Sequence, residues 1–92
     1  MVTRRIVVSG LVQGVGYRYF AERVAHRLRI SGYVRNQRDG TVEIVVQLKG
    51  GENIDSFLEA LRQGPTAAHV RNVEMHSLEG FAEELSGFSV RL

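Results

Sequence analysis

The sequence predicts an α+β fold, a two-layer sandwich in which an antiparallel sheet carries two helices on one face. Segments rich in β-branched residues alternate with two segments of helical periodicity. The order of these segments is β-α-β-β-α-β, with a short extra strand. A length of 92 residues allows one domain with one core, so we expect residues 1–92 to form a single domain.

The first half of the chain is predicted to contain a strand, a helix and a hairpin. Residues 3–12 carry β-branched side chains without a helical period, which indicates a strand. Residues 14–29 repeat apolar positions at steps of three and four, which indicates a helix. Residues 33–36 and 41–48 form a hairpin around the turn at 38–40. The predicted buried stripe of the helix consists of Val15, Tyr19 or Phe20, Val24 and Leu28.

The second half is predicted to contain a helix and two strands. Asn53 or Asp55 caps a helix that runs to about residue 63, where Gly64 and Pro65 end it. Residues 69–78 alternate as a fourth strand, residues 79–87 are polar and loop-like, and residues 88–92 form the last strand. This order is that of the ferredoxin-like fold, in which we expect the first strand to be central, so that the glycine-rich loop after it leaves the middle of the sheet.

Alternation in the third strand separates its side chains into two sets. Val42, Ile44 and Val46 point to one face of the sheet. Glu43, Val45 and Gln47 point to the other.

The composition excludes several classes of protein. The formal charge of +2 permits an anionic substrate but does not by itself indicate nucleic acid. The chain has no cysteine, which excludes disulfides, thiol catalysis and cysteine-bound metal. No apolar run has membrane-spanning length, and the apolar run at the N-terminus stops at Ser9, too early for a signal peptide. We therefore expect a cytoplasmic protein, and a monomer is the default for so small a domain.

A glycine-rich loop joins the first strand to the first helix within SGLVQGVGYR, residues 9–18. Gly10, Gly14 and Gly16 let backbone N–H groups turn toward an anion, and the helix N-terminus adds a positive dipole end. Arg18 adds a permanent charge and a planar set of donors that suits phosphate oxygens. The loop is neither a Walker A loop nor a dinucleotide fingerprint. It predicts a phosphate site, while glycines between a strand and a helix also serve as plain turn residues.

Asn36 is the second candidate, at the end of the second strand and just before the hairpin turn. Its amide offers both a donor and an acceptor, so it can orient a water molecule without ionising. Asparagine beside a turn also serves to pair nearby backbone groups. The residue alone leaves both interpretations open.

Two separate segments, GLVQGVGYR at residues 10–18 and GYVRNQRDGTV at residues 32–42, resemble the paired signatures of the acylphosphatases. The likeness continues through the end of the second helix and the last strand, in the family's order and spacing. Its further positions are Phe57, Leu61, Gly64, Pro65, Ala68, Val70 and the run GFSV at residues 87–90. One departure is Leu48, where the family usually has a glycine, with glycine appearing at Gly50. We expect a changed loop there and an intact active site.

The resemblance implies an acylphosphatase, which hydrolyses the carboxyl–phosphate bond of small acyl phosphates to a carboxylate and inorganic phosphate by in-line attack of water. The family's phosphate-binding arginine falls on Arg18 and its water-orienting asparagine on Asn36. The backbone that holds the phosphoryl oxygens, or another small anion such as inorganic phosphate, falls on Gln13, Gly14, Val15, Gly16 and Tyr17. The resemblance implies no metal, no cofactor and no covalent phosphoenzyme.

The remaining residues with catalytic side chains form no pattern of their own. The histidines do not stand at metal-ligand spacing with carboxylates, and no serine has a neighbouring His–Asp arrangement. We expect the histidines and the glutamates of residues 79–87 at the surface. The histidines are His26, His69 and His76, and the glutamates are Glu79, Glu83 and Glu84.

Two other functional classes share the predicted fold. RNA-recognition domains place aromatic side chains on central strands, but TVEIVVQL at residues 41–48 has none, so we expect no nucleic-acid partner. A regulatory or carrier domain that has lost turnover is the other alternative. The presence of both Arg18 and Asn36 favours catalysis.

Overall fold

The structure, a computed structural model, describes all 92 residues, Met1–Leu92. It contains five strands and two helices in the order βαββαβ with one further strand, so the predicted ferredoxin-like α+β sandwich is confirmed. The elements are β1 (Val2–Leu11), α1 (Tyr17–Leu28), β2 (Ser31–Asn36), β3 (Val42–Leu48), α2 (Ile54–Gln63), β4 (His69–Ser77) and β5 (Phe88–Arg91). Neither helix is long and apolar enough to cross a membrane.

The sheet has the strand order β4-β1-β3-β2-β5. Ile6 of β1 and Val34 of β2 both lie opposite Ile44, so β3 is the central strand and β1, which was expected there, is its neighbour inside the sheet. The first four strands of this order pair antiparallel, whereas β5 pairs parallel with β2. The expectation of an antiparallel sheet therefore holds for four strands, and the sheet as a whole is mixed. A parallel pair needs a crossover, which residues 78–87 supply by running from the β4 edge to the β5 edge.

The two helices cover one face of the sheet and enclose the main core. Val42, Ile44 and Val46 of β3 are fully buried on this face, as the alternation predicts. Side chains from β1, β2, α1 and α2 complete the core. They include Ile6, Val8, Val34, Ala21, Val24, Ala25, Phe57 and Leu61.

Helix α1 begins at Tyr17 rather than at residue 14, because φ is +74° at Gly14 and +78° at Gly16, outside the right-handed helical region. The later start changes the buried stripe to Tyr17, Ala21, Val24 and Ala25. Of the predicted stripe, Val24 is buried and Val15, Phe20 and Leu28 are half-buried against the core, whereas Tyr19 is exposed. The fully buried aromatic residue of the helix is Tyr17, rather than Tyr19 or Phe20. Its hydroxyl donates to the carbonyl of Leu61 in α2 over 2.7 Å. Burial raises the pKa of Tyr17.

Helix α2 begins and ends as predicted. Asn53 is its N-cap, and the Oδ1 atom of Asn53 accepts from the backbone N–H of Ser56 at 3.0 Å. The helix ends at Gln63, and Gly64 is its C-cap.

The second face of the sheet is covered by residues 78–87, which we call the covering segment. As predicted, the segment forms no helix or strand and its glutamates are exposed. The sequence did not reveal that Leu85 packs against Tyr33 and Val45 in a small second core. The side chain of Gln47, which is fully buried, accepts from Leu85 N at 2.6 Å and donates to Glu83 O at 2.7 Å.

Leu48 is the last residue of β3, where it lies opposite Val2 and packs against the main core. The following loop is closed by the carboxylate of Glu52, which accepts from the backbone N–H groups of Lys49 and Gly50, each over 2.8 Å. This loop lies at the opposite end of β3 from the hairpin turn.

Candidate active site

The structure brings Arg18 and Asn36 together on one small cavity of about 100 Å³. Three predicted residues of the glycine loop also line it. The full lining is Val12, Gly14, Gly16, Tyr17, Arg18, Tyr19 and Asn36. The other two predicted loop residues, Gln13 and Val15, are not among the lining residues.

The loop between β1 and α1 has a backbone suited to an anion. No backbone N–H group from residue 13 to residue 17 donates to a carbonyl of the chain. Gly14 and Gly16 have positive φ, whereas the residues beside them have negative φ. This alternation can turn successive N–H groups toward one ligand. Gly10, in contrast, belongs to β1, where it lies opposite Val70, and is therefore not part of the loop.

Arg18 is the second residue of α1, at the positive end of the helix dipole. Its Nη1 atom donates to the backbone carbonyl of Arg91 in β5 at 3.1 Å, which fixes one edge of the guanidinium. Arg18 forms no salt bridge, and no acidic side chain lines the cavity. The positive charge is thus available to an anion.

Asn36 is the last residue of β2 and lies opposite Val42. Its Oδ1 atom is buried and has no hydrogen-bond partner within the chain. A buried acceptor without a partner costs about 1–3 kcal/mol. Asn36 also lines an open cleft of about 510 Å³ together with Arg35, Gln37, Arg38 and Leu92, so it borders both spaces.

The Gln13 side chain turns away from the cavity to the hairpin turn. Its Nε2 atom donates to the carbonyl of Gln37 at 2.7 Å and to the carbonyl of Thr41 at 2.8 Å. The glycine loop and the turn that follows Asn36 are therefore joined by one side chain.

A charged network on the second face of the sheet supports the same turn. Glu43, whose side chain is 7% exposed, accepts from Arg5 at 2.5 Å and from Arg35 at 2.6 Å. Burial disfavours the carboxylate of Glu43, but the hydrogen bonds and positive charges of Arg5 and Arg35 together outweigh burial and lower its pKa. Arg5 also donates to the side-chain oxygen of Gln37 at 3.4 Å, and the hydroxyl of Thr41 donates to the same oxygen at 2.9 Å.

The histidines lie outside the cavity. A ring nitrogen of His26 lies 2.9 Å from the carbonyl of Phe88, and one of His76 lies 3.2 Å from Glu74. No group of three or more His, Asp or Glu side chains has a geometry that could hold a metal ion.

Sequence reasoning missed three residues that support the site: Glu43, the side chain of Gln13, and Arg91. Only Glu43 has a signal in the sequence, because strand alternation places it on the face opposite the helices, beside Val45. The bonds of Gln13 and Arg91 depend on contacts between distant segments, which local patterns do not reveal.

Comparisons with known proteins point to one family. The sequence model of the acylphosphatase family matches residues 4–90. An acylphosphatase of Bordetella parapertussis is 50% identical over 84 residues, which cover 91% of this chain and 86% of that protein. An acylphosphatase of Caldivirga maquilingensis is 47% identical over 89 residues, which cover 95% of this chain and 90% of that protein.

The fold comparison agrees. The crystal structure of acylphosphatase from Bacillus subtilis superposes with a TM-score of 0.84 and 38% sequence identity, and the match covers all of both chains.

Proposed function

The chain belongs to the acylphosphatase family and hydrolyses the carboxyl–phosphate bond of acyl phosphates, and we propose that Arg18, Asn36 and the backbone of residues 13–17 carry out this reaction. The observation that carries the proposal is the shared cavity of Arg18 and Asn36, in which one residue offers a free positive charge and the other an unpaired amide oxygen. Phosphoryl transfer depends mainly on positioning and on stabilising charge on the phosphoryl oxygens. The charge of Arg18 is suited to stabilising the phosphoryl oxygens, and the amide of Asn36 is suited to positioning the attacking water.

The phosphoryl group binds between the glycine loop and Arg18. The free N–H groups of residues 13–17 and the guanidinium donate to its oxygens, and the N-terminus of α1 adds its dipole. Because Arg91 holds one edge of the guanidinium, Arg18 needs little reordering when the substrate binds. Both groups stabilise the negative charge that spreads over the phosphoryl oxygens in the transition state.

Asn36 positions the attacking water. The open cleft that Asn36 shares with Arg35 and Arg38 gives water access to Asn36. The amide accepts a hydrogen bond from this water and aims its oxygen at phosphorus, while the acyl group leaves on the far side. The leaving carboxylate is a weak base, so it needs no general acid. The water's proton passes to the phosphate oxygens, and we propose that the reaction proceeds without a metal ion.

Phosphate release from acetyl phosphate in the presence of a chelator tests this proposal. We expect the wild-type protein to release phosphate. We expect Arg18→Ala to lower kcat/KM by about 10²–10³-fold, as removal of one oxyanion donor does, and to weaken inhibition by inorganic phosphate. We expect Asn36→Ala to lower kcat with little change in that inhibition.

Arg23→Ala is the matched control for Arg18, since Arg23 is an exposed arginine of the same helix outside the cavity. Folding of each variant is checked by circular dichroism. Near-normal turnover of folded Arg18→Ala would contradict its proposed role, and equal kcat values for wild type and Asn36→Ala would reduce Asn36 to a turn residue. Activity that appears only when a divalent metal is added would contradict the metal-free route.

We also propose that residues 1–92 act as one domain, as a monomer in the cytoplasm. A single sheet joins strands from both ends of the chain, which supports one domain. The absence of cysteine is compatible with a reducing compartment. Light scattering of the purified protein measures its mass, and a mass of 20 kDa or more, about twice that of one chain of 10.3 kDa, would contradict the monomer.

A further inference from the structure

We infer that Gln13 is a positioning residue, whose side chain holds the glycine loop in a fixed position relative to Asn36. It does so by donating to two backbone carbonyls of the hairpin turn. This inference rests on the proposed roles of the loop and of Asn36. It assigns to the side chain of Gln13, as distinct from its backbone N–H, a part in catalysis that does not involve contact with the substrate.

The geometry of the Gln13 amide carries the inference. A primary amide has two N–H donors, and Gln13 uses Nε2 to reach both Gln37 O, at 2.7 Å, and Thr41 O, at 2.8 Å. These two carbonyls belong to the two residues that close the turn, since the N–H of Gln37 also donates to Thr41 O at 2.9 Å. Gln13 therefore spans the base of the turn.

The two ends of this bridge adjoin the two halves of the site. Gln13 directly precedes Gly14, which lines the cavity, and Gln37 directly follows Asn36. The position of the phosphoryl group depends on the loop, and the position of the attacking water depends on Asn36. The Gln13 amide thus fixes the distance and direction between water and phosphorus.

The turn does not need Gln13 for its own structure. Asp39 accepts from the backbone N–H of Thr41 at 3.0 Å, and Gly40 N donates to Gln37 O at 3.2 Å. The side chain of Gln37 is held by Arg5 and Thr41. The turn is therefore a fixed reference, and the Gln13 bonds serve to attach the loop to it.

The variant Gln13→Met tests the inference, since methionine has a similar length and no donor. We expect kcat for acetyl phosphate to fall by about 10- to 100-fold, as misplacement of reacting groups by about 1 Å does. We expect the inhibition constant of inorganic phosphate to stay within about twofold of wild type, because the loop still supplies its N–H groups.

A double-mutant cycle with Asn36→Ala separates positioning from a general structural role. If Gln13 acts through Asn36, the double variant has nearly the same kcat as Asn36→Ala alone. A kcat reduced by the product of the two single effects would overturn the inference, as would an unchanged kcat in Gln13→Met. A change confined to phosphate inhibition would also overturn it, since Gln13 would then only shape the loop.

Gln63→Met is the matched control, because Gln63 is an exposed glutamine at the end of α2. If Gln13→Met does not fold, Gln13→Asn takes its place in the cycle, since it keeps the donors but is too short to span both carbonyls. Failure of wild type to hydrolyse acetyl phosphate would overturn the proposed function itself. Hydrolysis by wild type with independent effects in the cycle would overturn only the role of Gln13.

Discussion

The two faces of the sheet are closed by different means, and β3 contributes to both. On the helix face, Val42, Ile44 and Val46 lie in a core of 17 buried residues. On the other face, Val45 belongs to a cluster of three buried hydrophobic residues. Its neighbours on the same face of β3 are the buried polar residues Glu43 and Gln47. Apolar packing holds the helices, whereas hydrogen bonds and ion pairs hold the covering segment and the hairpin turn.

This difference indicates a division of tasks within the sheet. Apolar burial provides most of the free energy of folding but has no direction. Hydrogen bonds and ion pairs contribute less and fix orientation. The face with directional contacts is the one that supports the turn next to Asn36, where the geometry of the reaction is set.

The largest expected difference between the faces is in stability. We expect Ile44→Ala to lower the free energy of unfolding by about 2–5 kcal/mol, because the two helices cannot collapse fully into the cavity. Leu85→Ala on the second face should cost about 2 kcal/mol or less, since the covering segment can move to fill the space. Urea unfolding of both variants measures the values. Equal losses would mean that the two faces are packed alike.

Gln47→Leu probes the covering segment and should cost about 1–3 kcal/mol, because Glu83 O and Leu85 N lose their side-chain partner. Amide hydrogen exchange should rise in residues 78–87 and remain unchanged in α2. Gln63→Leu, an exposed substitution, is the control. Unchanged exchange in the covering segment would show that the contacts left in place suffice to hold it, namely the apolar packing of Leu85 and the hydrogen bond from Lys49 Nζ to Leu85 O at 2.7 Å.

Glu43→Gln should have the smallest effect, about 1 kcal/mol at pH 7, since Arg5 and Arg35 remain partly exposed and their ion pairs are screened by solvent. The pKa of Glu43 is lower in the folded protein than in the unfolded chain. The carboxylate therefore stabilises the fold at pH values above the ordinary pKa of a glutamate, and this stabilisation is lost as the pH falls through the lower pKa of the folded state.

The difference in unfolding free energy between wild type and Glu43→Gln should accordingly shrink as the pH is lowered from 7 to 3. The exposed Glu59→Gln is the control, with its side chain 64% exposed. A difference that stays constant over this range would mean that the Glu43 charge does not stabilise the turn, and the contrast between the faces would then rest on Gln47 alone.

Much of the fold was predictable because its signals are local. The alternation of β3, the cap of α2 at Asn53 and the stop at Gly64 depend on neighbouring residues. The start of α1 was predicted wrongly, because apolar periodicity continues through Val15 although the backbone of Gly14 and Gly16 is not helical. The parallel pairing of β5 depends on the path of the covering segment, which leads the chain from β4 to the edge beside β2. No local sequence pattern specifies this path.

The candidate site was predictable to a similar extent. The glycine loop and Arg18 have a local signal with a physical mechanism, and the resemblance to a family linked them to Asn36. The side chains that hold these parts in place act across sequence separations of 24 to 73 residues, as for Gln13 and Arg18. Such contacts follow from the topology, and composition or spacing alone does not indicate them.

The bond from Arg18 to the carbonyl of Arg91 has a consequence for how the protein becomes active. It joins residues 73 positions apart, and β5 must dock beside β2 before it forms. Contacts between distant segments require costly loop closure and form slowly. During refolding, turnover should therefore recover only once β5 has docked beside β2. A chain emerging from the ribosome acquires its complete anion site only when its last strand has been released.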